Sequence, residues 1–524
     1  MRRTGDRLLQ AGAVLLLMTA ARASEAGFRA TPTARRIDGR VVIRFELTAP
    51  TDVELAVLDA RGKVVRHLGA GALGTKNAPP PFKRDSLSQE VVWDGRNDSG
   101  LPVAGAAIRV RLGLRIGAAR EIATGFDLPA KVRSRNAPAA PIDAAKMFDV
   151  LSEHYSGNVS LRLAGDPDSG AFYCRRNHWD TWRRSDPDGG KPVAVAGLQY
   201  VTGDIAFGSD GLIYPIHWGW VTRRLNRAWK PAPFTAGGAH GIRAPARNSP
   251  DLDAEGFGDS LGPDTICLGL DGRLYRFASH PETGYARVHV WGRDGALERN
   301  GVFPFSRIRH GSVIRVDREG CLYVALNGLP EGWEAPAALG HGYYRHFSGS
   351  LIKLRLKGRW TAKGARPDPQ AGTVPADAGK RAAGVVLDTW TTTWSGNPRW
   401  GYVYAGQRGR PTITPAKAFV HDVEWAVPGI SWISPPGNCT CNGPWFDMDR
   451  FGRLYVPDPA LSRVCILDAQ GNQIAELRAK SGDLFIARPI RVASAGDLFA
   501  FWDAANLRVL SAKLEYSASK TCAF

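Results

Sequence analysis

One short pattern constrains this chain more than any other. It returns five times, as 204-DIAFGSDGLIYPIHW-218, 265-TICLGLDGRLYRFAS-279, 312-SVIRVDREGCLYVAL-326, 446-FDMDRFGRLYVPDPA-460 and 490-IRVASAGDLFAFWDA-504. Each copy is an apolar run, a turn with glycine and usually aspartate, then an apolar–aromatic run. That is a strand, a tight turn and a second strand. The turn glycines are Gly211, Gly272, Gly320, Gly452 and Gly496, separated by 61, 48, 132 and 44 residues. The long gap is three times 44, so it has room for two degenerate units, one of them around 384-GVVLDTWTTTW-394. A period near 45 with about four short strands per unit predicts a β-propeller of six or seven blades, with six preferred.

The residues ahead of the repeats follow a different order. In 41-VVIRFELTA-49 and 53-VELAVLDARGKVVRHL-68 apolar residues alternate at period two, and Arg61-Gly62 reads as a hairpin turn. A further strand, turn and strand occupy 91-VVWDGRNDSGLPVAGAAIRVRLGL-114. Asp94, Asn97, Asp98 and Gly100 have the residue types of a calcium loop but not its order, so turn-forming side chains explain them better. The motif L-x-V-x-D-x-x-G-x-x-V-R-x-L at Leu55–Leu68, with W-D-G-x-x-x-x-G-x-x-V at Trp93–Val103, resembles the Ig-like domain of the flagellar hook-capping protein (FlgD-type). The spacer 70–89 is longer than that family's pattern. The resemblance implies a non-catalytic spacer or docking module over residues 30–125. Residues 126–146 read as a linker of proline, alanine and charge, and 147–524 as the propeller. Within it, 447–471 resembles NHL and gluconolactonase-like repeats through Asp449, Gly452, Tyr455, Asp458, Arg463, Asp468 and Gly471.

The chain opens MRRTGDRLLQAGAVLLLMTAARASEA. A basic start, an apolar run and a small-x-small site at Ala21-Arg22-Ala23 describe a signal peptide over residues 1–23. No other apolar run reaches about 18 residues, so no transmembrane segment is expected. The expectation is an exported protein, periplasmic or extracellular. The net charge is +18, and the first 23 residues account for +3, leaving +15. Such a surface suits acidic partners. Export argues against nucleic acid and for carbohydrate (an acidic polysaccharide above all) or protein. The arginines are scattered, which an ordinary basic surface also explains.

No phosphate-binding, dinucleotide, covalent-haem, zinc-protease or nucleophile-elbow motif is present. A site must then be gathered from several blades at the central channel. The candidates are His217, His310, His421, Asp264, Asp447 and Asp458, with Trp218 and Trp220 as surfaces for sugar stacking. Packing is the blander reading of each tryptophan, and a structural role that of each histidine. The propeller resemblance implies a divalent metal in the channel, held by carboxylates and Asn or, in amidating-lyase propellers, by histidines. Neither set maps here residue by residue. The seven cysteines suit disulfides in an exported chain, and their odd number leaves one over. Cys439 or Cys441 is expected to pair with another propeller cysteine such as Cys465. A Cys174–Cys522 bridge would lock first blade to last. The sequence therefore reads as an all-β exported binding or scaffold protein, an Ig-like sandwich followed by a six-bladed propeller. The alternative is a propeller enzyme, a metal-dependent lactonase-like hydrolase or a polysaccharide lyase.

Overall fold

The computed structural model describes residues 26–123, 162–175, 181–189, 191–196, 198, 201, 204–217, 220–221, 223–236, 266–279, 286–303, 314–326, 328–334, 348–355, 384–394, 411–421, 423–431, 446–458, 463–478, 492–503 and 508–524. Six strands open it: β1 (Thr33–Ile37), β2 (Arg40–Glu46), β3 (Thr51–Leu58), β4 (Val64–Leu73), β5 (Ser88–Trp93) and β6 (Ala107–Ile116). They form two sheets, β1-β2-β5 and β4-β3-β6. Every second residue points inward, as the pleat requires. Val41, Ile43 and Phe45 thus meet Leu55, Val57, Ile108 and Val110 in a core closed by Trp93. The β3–β4 turn is set by Asp59, whose Oδ1 accepts the amides of Arg61 and Lys63 at 2.9 Å each. Gly62 there takes a φ of +76°. Asp94 and Asn97 cap their own turn in the same way, accepting the amides of Arg96, Ser99 and Leu101.

Strand β7 (Arg120–Ala123) follows. Blade one is β8 (Arg162–Gly165), β9 (Phe172–Arg175), β10 (Arg183–Ser185) and β11 (Val193–Ala194). Blade two is β12 (Ile205–Phe207), β13 (Ile213–His217) and β14 (Trp220–Val221). Blade three is β15 (Ile266–Leu268), β16 (Leu274–Ser279), β17 (Ala286–Trp291) and β18 (Leu297–Phe303). Next come β19 (Ile314–Val316), β20 (Cys321–Leu326), β21 (Leu329–Pro330), β22 (Ser348–Arg355), β23 (Gly384–Trp394), β24 (Pro411–His421) and β25 (Val423–Ser431). Of these, β19-β20-β22-β25 form blade four, and β21-β23-β24 a separate inserted sheet. Blade five is β26 (Asp447–Met448), β27 (Leu454–Asp458), β28 (Arg463–Leu467) and β29 (Gln473–Arg478). Blade six is β30 (Val492–Ala495), β31 (Leu498–Asp503) and β32 (Arg508–Ala523), completed by β7.

Six apolar clusters lie between successive blades and make the ring continuous. The one that closes it unites Ala493, Ala495 and Ala500 of blade six with Leu163, Phe172 and Cys174 of blade one. The expected total of six holds, but the expected positions do not. Among the described residues no further blade lies between Gly320 of blade four and Gly452 of blade five, because 384–394 pairs with 411–421 in an inserted hairpin. The missing unit comes earlier, at 162–194. Its turn, 166-DPDSG-170, is one residue longer than the pattern and hides it.

Closure also differs from expectation. Val509, Leu510 and Ser511 of β32 pair with Ala123, Glu121 and Arg120 of β7. The same strand then leaves the propeller and pairs with β6, from Leu514 opposite Ile116 to Ala523 opposite Ala107. Cys522 packs against the sandwich core, whereas Cys174 lies in the cluster joining blades one and six. Strand exchange, not a bridge between those two cysteines, locks the ring.

Candidate functional site

The blades share one register at the channel. In every second strand an aromatic ring stands directly opposite a first-strand residue. Tyr173 pairs with Ala164, Tyr214 with Ala206 and Tyr275 with Cys267. Tyr323 pairs with Arg315, Tyr455 with Asp447 and Phe499 with Ser494. All six first-strand residues line one cavity of about 360 Å³. Its wall is therefore two-sided: Ala, Ala and Cys from blades one to three, and Arg, Asp and Ser from blades four to six.

The polar side is tightly bonded. Arg315 Nε donates to Asp447 Oδ1 at 3.0 Å, and Asp447 Oδ2 accepts the Ser494 amide at 2.7 Å and its hydroxyl at 2.9 Å. Asp204, from blade two, lies 3.6 Å from the guanidinium. Burial opposes the charge on Arg315, but Asp447 and Asp204 outweigh it and hold the guanidinium above its usual pKa. On the apolar side, burial pushes the Cys267 thiol up to about 12. It stays protonated and is no nucleophile.

The sandwich forms the floor. It sits on the face that carries the turns between first and second strands, and the outward side of β4-β3-β6 looks into the cavity. One cross-strand row there reads His67, Ala56, Arg109. His67 Nδ1 lies 2.5 Å from Asp98 Oδ2, and its ring meets Phe451 of blade five edge-on. Asp98 also accepts from Arg318 of blade four at 2.6 Å. Burial holds His67 below its usual pKa against the pull of Asp98. Asp98 lies near Arg66 and Arg318, while Asp168 pairs with Lys63, Arg227 and Arg450 and Asp166 with Arg227. Five cations thus share three carboxylates.

Beside this row lies a buried ionic seam. Glu54 accepts from Arg111 at 2.6 Å, from Tyr516 at 2.7 Å and from Arg453 at 3.2 Å. Arg453 also donates to Asp449 at 2.6 Å, and Arg111 to Asp497 at 2.5 Å. Glu54 and Arg111 come from the sandwich, Asp449, Arg453 and Asp497 from blades five and six, so the seam fixes the floor to the ring.

Of the sequence candidates, Asp447 reaches the cavity. Asp458 does not line it; it is buried in blade five and pairs with Arg463 at 3.1 Å. His217 and Trp220 stand opposite each other at the β13–β14 pair, and His421 stands opposite Gly384 in the inserted hairpin. Trp218, Asp264, His310, Cys439, Cys441, residues 1–23 and the linker 126–146 lie outside the described residues. Cys465 is a buried thiol pushed up to about 12 by burial. Arg315, Ser494, Asp204 and the His67 row were not singled out in the sequence. The first two carried a signal there, since each stands at the channel position opposite its repeat's aromatic. Among the described residues no three His, Cys, Asp or Glu side chains gather as metal ligands, and no helix is long and apolar enough to cross a membrane.

No family model and no curated protein matches the chain. Solved structures do resemble it. A protein of unknown function from Bacteroides thetaiotaomicron is 11% identical, with 93% of this chain and 99% of that one covered and a TM-score of 0.36. An auxiliary nutrient binding protein from Bacteroides ovatus is 11% identical over the same shares, with a TM-score of 0.30. Virginiamycin B lyase from Staphylococcus aureus is 12% identical, covering 68% of this chain and 97% of that one, with a TM-score of 0.30. The likeness is one of architecture.

Proposed function

We propose that this is an exported binding protein whose propeller recognises a carbohydrate or protein partner on the face away from the sandwich. The observation that carries this reading is the state of the channel's carboxylates. Both oxygens of Asp447 are taken by Arg315 and Ser494, and Asp204 stands against the same guanidinium. A hydrolase centre of the gluconolactonase kind would need such oxygens open to a metal. A wall already satisfied is suited to holding a ligand by shape and fixed dipoles. The sandwich covers one end of the channel, so a large partner has the other end.

In this reading the N-terminal unit is a hook-capping-type Ig-like domain that serves as a fixed base, and residues 1–23 direct export. The test is a glycan array probed with the full chain, run beside metal analysis of the same sample and capture of proteins from the exported fraction. Saturable binding to a glycan or to one protein is expected. A stoichiometric bound metal together with turnover of a lactone or polysaccharide would overturn the reading in favour of the enzyme.

A further inference from the structure

The sheet β1-β2-β5 lies on the side of the sandwich away from the ring, and β1 is one of its edges. A two-residue turn joins β1 to β2, with Asp38 and Gly39 at φ of +47° and +76°. Such a turn makes Ile37 and Arg40 a hydrogen-bonded pair, and the alternation along an antiparallel ladder then bonds Arg35 and Thr33 to β2 as well. The amides and carbonyls of Ala34 and Arg36 therefore point off the sheet, and among the described residues no further strand meets them. Arg35, Arg36 and Arg40 are exposed, and among the described residues none has a hydrogen-bond or ion-pair partner. The sheet's two glutamates are already taken, Glu46 by Arg29 and Glu90 by Arg44, each at 2.7 Å. Asp38 in the turn is the acid beside the three arginines, which leaves two positive charges over. Ile37 and Val92 add apolar surface to the same outer face, 45% and 50% exposed.

An open row of backbone donors and acceptors suits another backbone, and adjacent arginines on opposite faces of the strand suit a carboxylate on each face. We propose that β1 docks an acidic extended segment of a partner protein as a further strand of the sheet, with carboxylates opposite Arg35 and Arg36 and an apolar side chain opposite Ile37. Main-chain bonds supply the affinity, and the two ion pairs choose the partner. Charge on an edge strand guards against pairing with its own kind. A second copy of β1 would set arginine against arginine, and like charges directly opposite destabilise a pair. The same arginines attract an acidic strand. An acidic polysaccharide would answer the arginines but has no strand to lay along the open amides. This surface stands apart from the propeller face and goes beyond the reading above.

Calorimetric titration of the full chain with two extended peptides tests it, one with adjacent glutamates between valines and one with lysines in their place. The glutamate peptide should bind about tenfold tighter at low salt. Arg35→Glu/Arg36→Glu should reverse that preference. Ala34→Pro removes an amide that β2 does not use, so it should weaken the glutamate peptide about tenfold and leave the melting temperature unchanged. In the unsubstituted protein, hydrogen exchange over residues 33–37 should slow when the glutamate peptide is added, a readout that needs no variant. Equal affinity for the two peptides, no binding of either, or unslowed exchange overturns the proposal. Binding that survives Ala34→Pro, with polygalacturonate competing for it, overturns strand addition and assigns the arginines to carbohydrate. Glycan or protein binding that Ala34→Pro leaves intact belongs to the propeller reading, so the two readings fail separately.

Discussion

Arg453 is 1% exposed and bonds Asp449, Glu54 and Tyr516 at once, across the join between blade five and the sandwich. Removing it would leave buried Asp449 without its ion-pair partner and take one of several partners from Glu54, and breaking such a buried pair costs about 3–5 kcal/mol. Arg453→Met should therefore lower the unfolding free energy by that amount, and a loss below about 1 kcal/mol would refute the role. Two other carboxyls at the same join behave oppositely. Burial pushes Asp52 and Asp468 up to about 6 from 3.8, against hydrogen bonds that favour their charged forms. Between about pH 4 and 6 the native state holds these protons and the unfolded chain does not, so their contribution weakens as pH rises through that window. A tenfold difference in proton affinity corresponds to about 1.4 kcal/mol, so each carboxyl contributes on the order of 2–3 kcal/mol. Asp168 has the other sign: burial would raise it, but Arg450, Arg227 and Lys63 hold it at about 2, so its contribution is lost as pH falls below about 4. Stability measured from pH 4 to 7 should vary less steeply in Asp52→Asn/Asp468→Asn, and an unchanged slope would count against the assignment.

The elements show why the repeat is written as it is. Asp317 and Asp449 each accept two amides of their own turn and the hydroxyl of the tyrosine six residues on. In blades two and three a glycine takes that position, and Asp210 and Asp271, two residues later, reach the tyrosine instead. A Cβ on Gly208 or Gly269 would come within 2.2 and 2.6 Å of those carboxylates, so glycine and shifted aspartate go together. Tyr323→Phe should cost about 1 kcal/mol and Asp317→Ala about 1–3 kcal/mol, because only the latter also frees two amides. Chemical denaturation of the two variants distinguishes them, and equal losses would break the account. This grammar made five of the six blades legible. Blade one escaped because its turn holds one extra residue, and 384–394 misled because a hairpin strand alternates just as a blade strand does.

At the scale of the molecule, β32 joins the ring to the sandwich. Its first half finishes blade six with β7, and its second half extends the sandwich beside β6. Removing residues 514–524 should destabilise both units together. Calorimetry of the intact chain should show a single transition, and the truncated chain should be cut by protease in sandwich and propeller alike. A sandwich that keeps its protection after truncation would show the two to be independent. The sequence by itself determined the all-β class, the alternating sandwich, the turn chemistry and five of the blades, because these depend on spacings of two to about fifty residues along one chain. Only the tertiary structure decided which residues form the channel wall, that β7 and β32 close the ring, and that His67 and Arg109 line the cavity. Those pairings join residues tens to hundreds of positions apart, and local periodicity holds no information about which distant strands will share a hydrogen-bonded edge.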